Sequence, residues 1–428
     1  MFSKVVTSQV IRRPQFAALR TFSTWSKLEA APADPILGLN EAFKKDTNPK
    51  KQLLGAGVYR DNDNKPYVLN CIRAAEKIIV EKQMDHEYAG IQGIDAFVNN
   101  ALKIAYGEDS DVIKNGLVAG AQSLSGTGSL RLGFEFLQAF YPNKGVEVFT
   151  PTPTWPVHNT IPGRVGLKQK PYRYFDSKTK GLDINGMLED LDKAPTESIV
   201  LLHVCAHNPT GVDPSNSQWS QILDVVKRRS HFVMFDSAYQ GFASGDLKKD
   251  AYAIDLFLKA GYDRIMLCQS FAKNFGVYGE RTGTLSLVTQ SKKEQEVVIS
   301  RIKQLARPIW SNPPIYGARL INTVLEDKAL TQEWHRELKV MSGRMADMRA
   351  GLYKNLIDAG SKHSWKHITD QIGMFAFTGL NKEMVEELRN KYGIYMTADG
   401  RISICGLNTR NLQYIAESFH AVTKDKAF

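Results

Sequence analysis

Cysteine is scarce in this chain: there are four in 428 residues, Cys71, Cys205, Cys268 and Cys405, far apart and at no spacing that would hold a metal ion. That excludes a small disulfide-built scaffold and a zinc module, and it fits a reducing compartment. Long apolar runs are missing too. No stretch could cross a bilayer as a helix, so the chain reads as a soluble globular protein without membrane insertion. There is no internal repeat and no low-complexity linker, and the glycine spacing matches neither the dinucleotide fingerprint nor the Walker loop. The net charge is +10, but no basic stripe with interleaved aromatics accompanies it, which argues against a nucleic-acid partner.

Acidic residues are absent before Glu29, while Lys4, Arg12, Arg13 and Arg20 lie in the first 22 residues; removing those four from +10 leaves +6. The segment MFSKVVTSQVIRRPQFAALRTFSTW is rich in hydroxyls and arginine, the composition of a mitochondrial transit peptide, although Pro14 interrupts its helical pattern. A disordered basic tail is the plainer reading. Arg20-Thr21-Phe22-Ser23 looks like a processing site, so residues 1–22 are expected to be a transit peptide and the mitochondrial matrix the destination.

With 43% apolar residues, the chain can bury a large core. Between about residues 115 and 290, apolar runs of strand length alternate with amphipathic stretches: GLVA, VEVFT (146–150), SIVLLHV (198–204), HFVMF (231–235), RIMLC (264–268) and TLSLV (284–288). Runs that are apolar throughout predict strands covered on both faces, hence an α/β fold with a mostly parallel central sheet between helices. Further on, Leu338, Met341, Met345, Met348, Leu352 and Leu356 recur at spacings of three and four, predicting a helix over 336–360 with methionines as core filling. GMFAFTGL and IYMT-ADG-RISI read as short strands with a tight turn. The expected organisation is a large domain over 66–335 and a smaller α+β domain built from both chain ends, 23–65 and 336–428.

Ligands of open α/β sheets bind beyond the carboxyl ends of the strands. Four predicted strands run directly into polar groups there. VEVFT leads to Trp155 and His158, SIVLLHV to Asn208 within AHNPTG, HFVMF to Asp236 and Tyr239, and RIMLC to Ser270 and Lys273. Ser125-Gly126-Thr127-Gly128 precedes the helical pattern LRLGFEFLQAF, where small residues either cap a helix or leave N–H groups facing an anion. Singly, each has an ordinary reading: Asp236 as a cap, Trp155 as core, Asn208-Pro209 as a turn, Tyr239 as a surface ring, Lys273 as a solvated lysine. Jointly they supply a phosphate seat, a ring, a carboxylate, two hydrogen-bonding groups and an amine. Pyridoxal 5'-phosphate needs each of these: its aldehyde forms an imine with a lysine, and its ring accepts electrons only while a buried acid preserves the proton on its nitrogen. Asp236 is the candidate acid and Lys273 the candidate amine.

SGTG, AHNPTG, DSAYQGFASG, SFAKNFGVYGERTG, RPIWSNPP and GRISICGL occur in the order seen in the aspartate aminotransferases, class I, fold type I pyridoxal-phosphate enzymes, and the chain resembles that family from about Asp34 to its end. The N-terminal extension is similar to that of mitochondrial members. The resemblance implies that Lys273 carries the cofactor and moves the proton at the substrate Cα, and that Asp236 pairs with the ring nitrogen, backed by His158 and His203. It implies that Asn208 and Tyr239 bond the phenolic oxygen, that Trp155 stacks on the ring, and that Ser125, Gly126, Thr127, Ser270 and Arg281 hold the phosphate. Tyr88 would reach the phosphate in the neighbouring subunit of a homodimer. Arg401 would take the substrate α-carboxylate, Arg307 the distal one across the dimer, with Gly57, Trp155 and Asn208 beside the substrate. The sequence departs from the family pattern at Val157, where asparagine is frequent, and in GAGVYR at 55–60.

The activity so implied is transamination between L-aspartate and 2-oxoglutarate. Three other readings stand beside it: an aromatic amino acid aminotransferase on the same fold, a basic binding protein without turnover, and a cofactor-free imine-forming aldolase, which would leave the phosphate seat without a task.

Overall fold

A computed structural model of the chain describes residues 24–30 and 37–426. The expected transit peptide, residues 1–22, lies outside the described residues. In 24–30 the backbone makes one exposed turn, closed by the Leu28 N–H on the Trp25 carbonyl.

Every apolar run read as a strand is one, and all six lie in a single seven-stranded sheet. Its order is Val118–Leu124, Thr282–Val288, Ile265–Ser270, Phe232–Ser237, Ile199–His203, Glu147–Thr152 and Lys168–Arg173. All pairings are parallel except the two made by Thr282–Val288, which runs against both of its neighbours. Period-two alternation sorts the strand side chains into two cores. Val200, Leu202, Val233, Phe235, Ile265 and Leu267 pack on one face with Phe97 and Leu102 of the helix Asp95–Tyr106. Ile199, Leu201, Met234, Met266, Cys268 and Leu285 pack on the other with Leu130 and Phe134 of Ser125–Phe140 and Ile302 of Lys292–Trp310. Each such buried side chain contributes about 1.5–3 kcal/mol.

The seventh strand, Lys168–Arg173, was not foreseen. KQKPYR is polar, and only Tyr172 of it is buried. It is an edge strand, and lysines with a proline are what keep an open edge from pairing with another chain.

The predicted helix over 336–360 spans Lys328–Asp358. Its buried stripe starts earlier than read, with Trp334, and Asp327 caps it by accepting from the Ala329 and Leu330 N–H groups. Gly360 follows its end with φ +84°, the left-handed turn that suits glycine. Trp334 stacks on Phe275 at 4.3 Å and donates its indole N–H to the Asn274 carbonyl, 2.8 Å. The short strands flank the ADG turn as expected but pair elsewhere: Arg401–Ser403 with Phe375–Phe377, and Ile394–Tyr395 with Gln52–Leu53. All four cysteines are buried and unpaired.

Candidate active site

The sheet's polarity assembles the site. Six strands present their carboxyl ends at one edge, five of them running into residues of the site, and the reversed strand Thr282–Val288 brings its beginning there, which is how Arg281 arrives beside Ser270 and Lys273. One cleft of about 200 Å³ is lined by Gly57, Ser125, Gly126, Thr127, Trp155, Asn208, Asp236, Tyr239, Ser270, Lys273, Arg281 and Arg401, together with Ala238 and Phe375. A larger cleft of about 490 Å³, between the end of Ser125–Phe140 and Lys292–Trp310, is mainly apolar and none of the candidate residues reaches it.

Local packing aims each group. Phe271 and Phe275 are buried on either side of Lys273 and fasten its loop to the core, leaving the lysine, half-buried, to face the cleft. SGTG forms the first turn of the helix Ser125–Phe140, where no side chain caps the N–H groups. The Ser125 and Ser270 hydroxyls meet at 2.8 Å. Ser125 (φ +59°) and Arg281 (φ +51°) both adopt the left-handed conformation, which costs a non-glycine residue on the order of 1 kcal/mol or more. Between them the backbone passes so closely that a Cβ on Gly283 would lie 2.3 Å from the Gln269 carbonyl and 2.8 Å from Ser125 Cα.

Strand register puts His203 beside Asp236. Asp236 Oδ2 is 3.0 Å from His158 Nε2; His158 Nδ1 is 2.8 Å from Thr154 Oγ1, which is 3.1 Å from His203 Nε2. Burial alone would raise the Asp236 carboxyl, but the His158 hydrogen bond and the neighbouring positive charges outweigh it and hold it below the ordinary value. His203 is pushed down to about 3, first by burial and then by His158, so it is neutral at physiological pH. Burial lowers the Lys273 ammonium as well; Asp236 pulls against that shift and Arg281 adds to it. The Tyr239 phenol is pushed up by burial and by Asp236, and the Lys273 ammonium stands 5.3 Å from its ring centre. Arg401 is buried, donates to Asn208 Oδ1 and the Gly55 carbonyl at 3.2 Å each, and lies 4.2 Å over the Phe375 ring.

Tyr88 and Arg307 do not reach the cleft of the single chain, and both are exposed. They share one surface: Arg307 donates to Ser311 Oγ (2.6 Å) and Asn312 Oδ1 (3.4 Å), and Asn312 donates to the Ala89 carbonyl (2.7 Å). Three participants were not singled out from the sequence: Thr154, Ala238 and Phe375. Thr154 directly precedes Trp155 and Ala238 lies within DSAYQGFASG; Phe375 reads simply as an apolar strand residue until its strand is paired with that of Arg401.

The strand ends of this α/β sheet thus gather a hydroxyl-rich helix start, a buried carboxylate and a lysine of lowered pKa in one cleft. The chain belongs to the aminotransferase class I and II family, whose profile matches residues 49–419. It is 50% identical to the mitochondrial aspartate aminotransferase of Dictyostelium discoideum, over 95% of this chain and 96% of that protein. Among solved structures, cytoplasmic aspartate aminotransferase from Saccharomyces cerevisiae is 41% identical with a TM-score of 0.91, over 94% of this chain and 99% of that one. An aromatic-amino-acid aminotransferase from Burkholderia pseudomallei, covalently bound to pyridoxal phosphate, is 41% identical with a TM-score of 0.90, over 94% and 100%.

Proposed function

We propose that the protein transfers an amino group from L-aspartate to 2-oxoglutarate, giving oxaloacetate and L-glutamate, with pyridoxal 5'-phosphate as its cofactor. The observation that carries this reading is the convergence of Lys273, Asp236, Arg281 and Arg401 on one cleft.

The residues present suit that cofactor. The uncapped first turn of Ser125–Phe140, the paired Ser125 and Ser270 hydroxyls, Thr127 and Arg281 suit a phosphate, and a Cβ on Gly126 would press to 3.3 Å from Ser270 Cβ, narrowing the seat. Asp236 suits a protonated ring nitrogen, Trp155 the ring face, and Asn208 and Tyr239 the phenolic oxygen. When bound, the cofactor supplies an aldehyde that condenses with amines and a ring that accepts an electron pair.

The chain's own groups do the rest. Asp236, held ionised by His158, keeps the proton on the ring nitrogen. The lowered pKa of Lys273 leaves its amine able to take the proton from the substrate Cα and return it. Arg401 pairs with the substrate α-carboxylate, and Asn208 fixes its guanidinium. Tyr88 and Arg307 act in the cleft of a second copy, so the enzyme is a homodimer with shared sites, Arg307 binding the distal carboxylate. Residues 66–335 form the cofactor-binding domain; 23–65 and 336–428 form a smaller one that closes Gly57 and Arg401 over the substrate and excludes water. Residues 1–22 direct the protein to the mitochondrial matrix.

A second reading, an aromatic amino acid aminotransferase, is favoured by the similarity to the Burkholderia pseudomallei enzyme. A desolvated charged pair at the distal carboxylate corresponds to roughly a ten- to hundredfold preference for aspartate over phenylalanine. Measuring kcat/KM for the two amino acids with 2-oxoglutarate tests this; equal values would refute the dicarboxylate assignment.

A further inference from the structure

Arg349, on the helix Lys328–Asp358, is 4% exposed and makes no salt bridge with a carboxylate among the described residues; the Asp213 carboxylate acts on its charge only through space. Its guanidinium instead gathers three carbonyls of one segment: Nη1 donates to Ile368 (2.8 Å), Nη2 to Gly373 (3.0 Å) and Phe375 (2.5 Å). Burying a charge with no carboxylate in hydrogen-bond contact is costly, so an apolar residue would serve better here unless those carbonyls need gathering. Asp213 does the converse on the AHNPTG loop. Its carboxylate accepts the Ala206 N–H at 2.6 Å and the His207 N–H at 2.9 Å, holding Ala206 in the left-handed region at φ +51°.

The two loops interlock. The Ile372 N–H donates to the Gly211 carbonyl at 2.7 Å; a Cβ on Gly211 would come 2.7 Å from the Phe375 carbonyl, and one on Gly373 would come 2.4 Å from Ala206 Cβ. Both glycines also have positive φ, +67° and +85°. Each loop carries a residue that touches Arg401: Asn208, whose side-chain oxygen accepts from it, and Phe375, whose ring lies beneath it. Arg401 Nε itself is buried without a partner, so these contacts and the Gly55 carbonyl set its aim.

We infer that Arg349 and Asp213 are positioning residues for substrate recognition: together they lock two interleaved loops so that Asn208 and Phe375 hold the Arg401 guanidinium ready for a carboxylate. This rests on the reading of Arg401 as the α-carboxylate ligand.

The test uses holoenzyme of Arg349→Lys, Asp213→Asn, Arg401→Lys and Arg307→Lys. Dissociation constants come from half-reactions with aspartate, which has two carboxylates, and alanine, which has only the α-carboxylate; succinate binding is measured by calorimetry. Arg349→Lys and Asp213→Asn are expected to weaken aspartate and alanine by the same factor, about tenfold, and succinate likewise, with the half-reaction rate at saturation changed less than about threefold. Arg307→Lys should weaken aspartate and succinate, which have a distal carboxylate, and leave alanine unchanged. Lower thermal stability with unchanged constants for all three ligands would make Arg349 and Asp213 merely structural and overturn the inference. If Arg401→Lys weakens both amino acids while the other two variants leave them unchanged, the inference fails and the reading of Arg401 stands; if Arg401→Lys also leaves them unchanged, both fall. Should Arg349→Lys not fold, Asp213→Asn on the opposite loop decides by the same outcomes.

Discussion

Replacing Asp236 with asparagine keeps the shape of the side chain and removes its charge. In the structure the carboxylate is 7% exposed, with one oxygen 3.0 Å from His158 Nε2, and it lines the cleft. An amide there still bonds the histidine but cannot pair with a cationic ring nitrogen. Loss of a charge-assisted hydrogen bond in such a site amounts to about 1.5–3 kcal/mol, or roughly a ten- to 150-fold loss of cofactor affinity. The cofactor-free protein should be almost indifferent, by less than about 1 kcal/mol, because the weaker bond to His158 is offset by no longer burying a charge. Equilibrium dialysis of pyridoxal phosphate against the cofactor-free variant reads the first quantity and urea unfolding the second. Cofactor affinity within twofold of the parent, with the fold intact, would refute the role given to Asp236.

Arg307→Asp should invert the substrate preference toward a cationic side chain such as arginine, measured as kcat/KM; an undiminished dicarboxylate preference would remove Arg307 from the site. Trp334→Ala, which removes the stack on Phe275 and the bond to Asn274, should cost about 3–5 kcal/mol in urea unfolding, and a loss below about 1 kcal/mol would contradict the anchoring of the Lys273 loop. His203 has a folded pKa of about 3 against an ordinary 6.5, so the unfolded chain binds more protons in that window and stability falls as pH drops below 6.5. His203→Gln should remove up to about 1.4 kcal/mol of that loss per pH unit; Asp213, raised to about 6 by burial, works in the opposite direction and is common to both proteins. Identical slopes for variant and parent would show that His203 charges freely in the folded state.

The elements most legible in the sequence were those whose physics is local. SIVLLHV, HFVMF and RIMLC each hold four consecutive apolar residues, IVLL, FVMF and IMLC, because both sheet faces are covered, and each leads its polar residues to the same edge. KQKPYR was missed because an edge strand is selected for not pairing rather than for burial. The reversal of Thr282–Val288 was equally invisible, since a run covered on both faces looks alike in either direction; yet it is this reversal that brings Arg281 to the cleft. Phe375 and Arg349 depend on which loop meets which across more than a hundred residues of chain, information that no spacing carries. The N-terminal start of the long helix, by contrast, was available: Asp327 is a capping residue and Trp334 continues the apolar stripe.

The measurement bearing most directly on the amine at position 273 is the absorption spectrum of purified, cofactor-loaded protein before and after adding aspartate. A visible band from lysine-bound cofactor should be present and should shift to that of the aminated cofactor, and Lys273→Ala should bind the cofactor without that band and fail to turn over. A protein that takes up no chromophore, or whose band aspartate leaves unchanged, would contradict the assignment of Lys273 and of the reaction together.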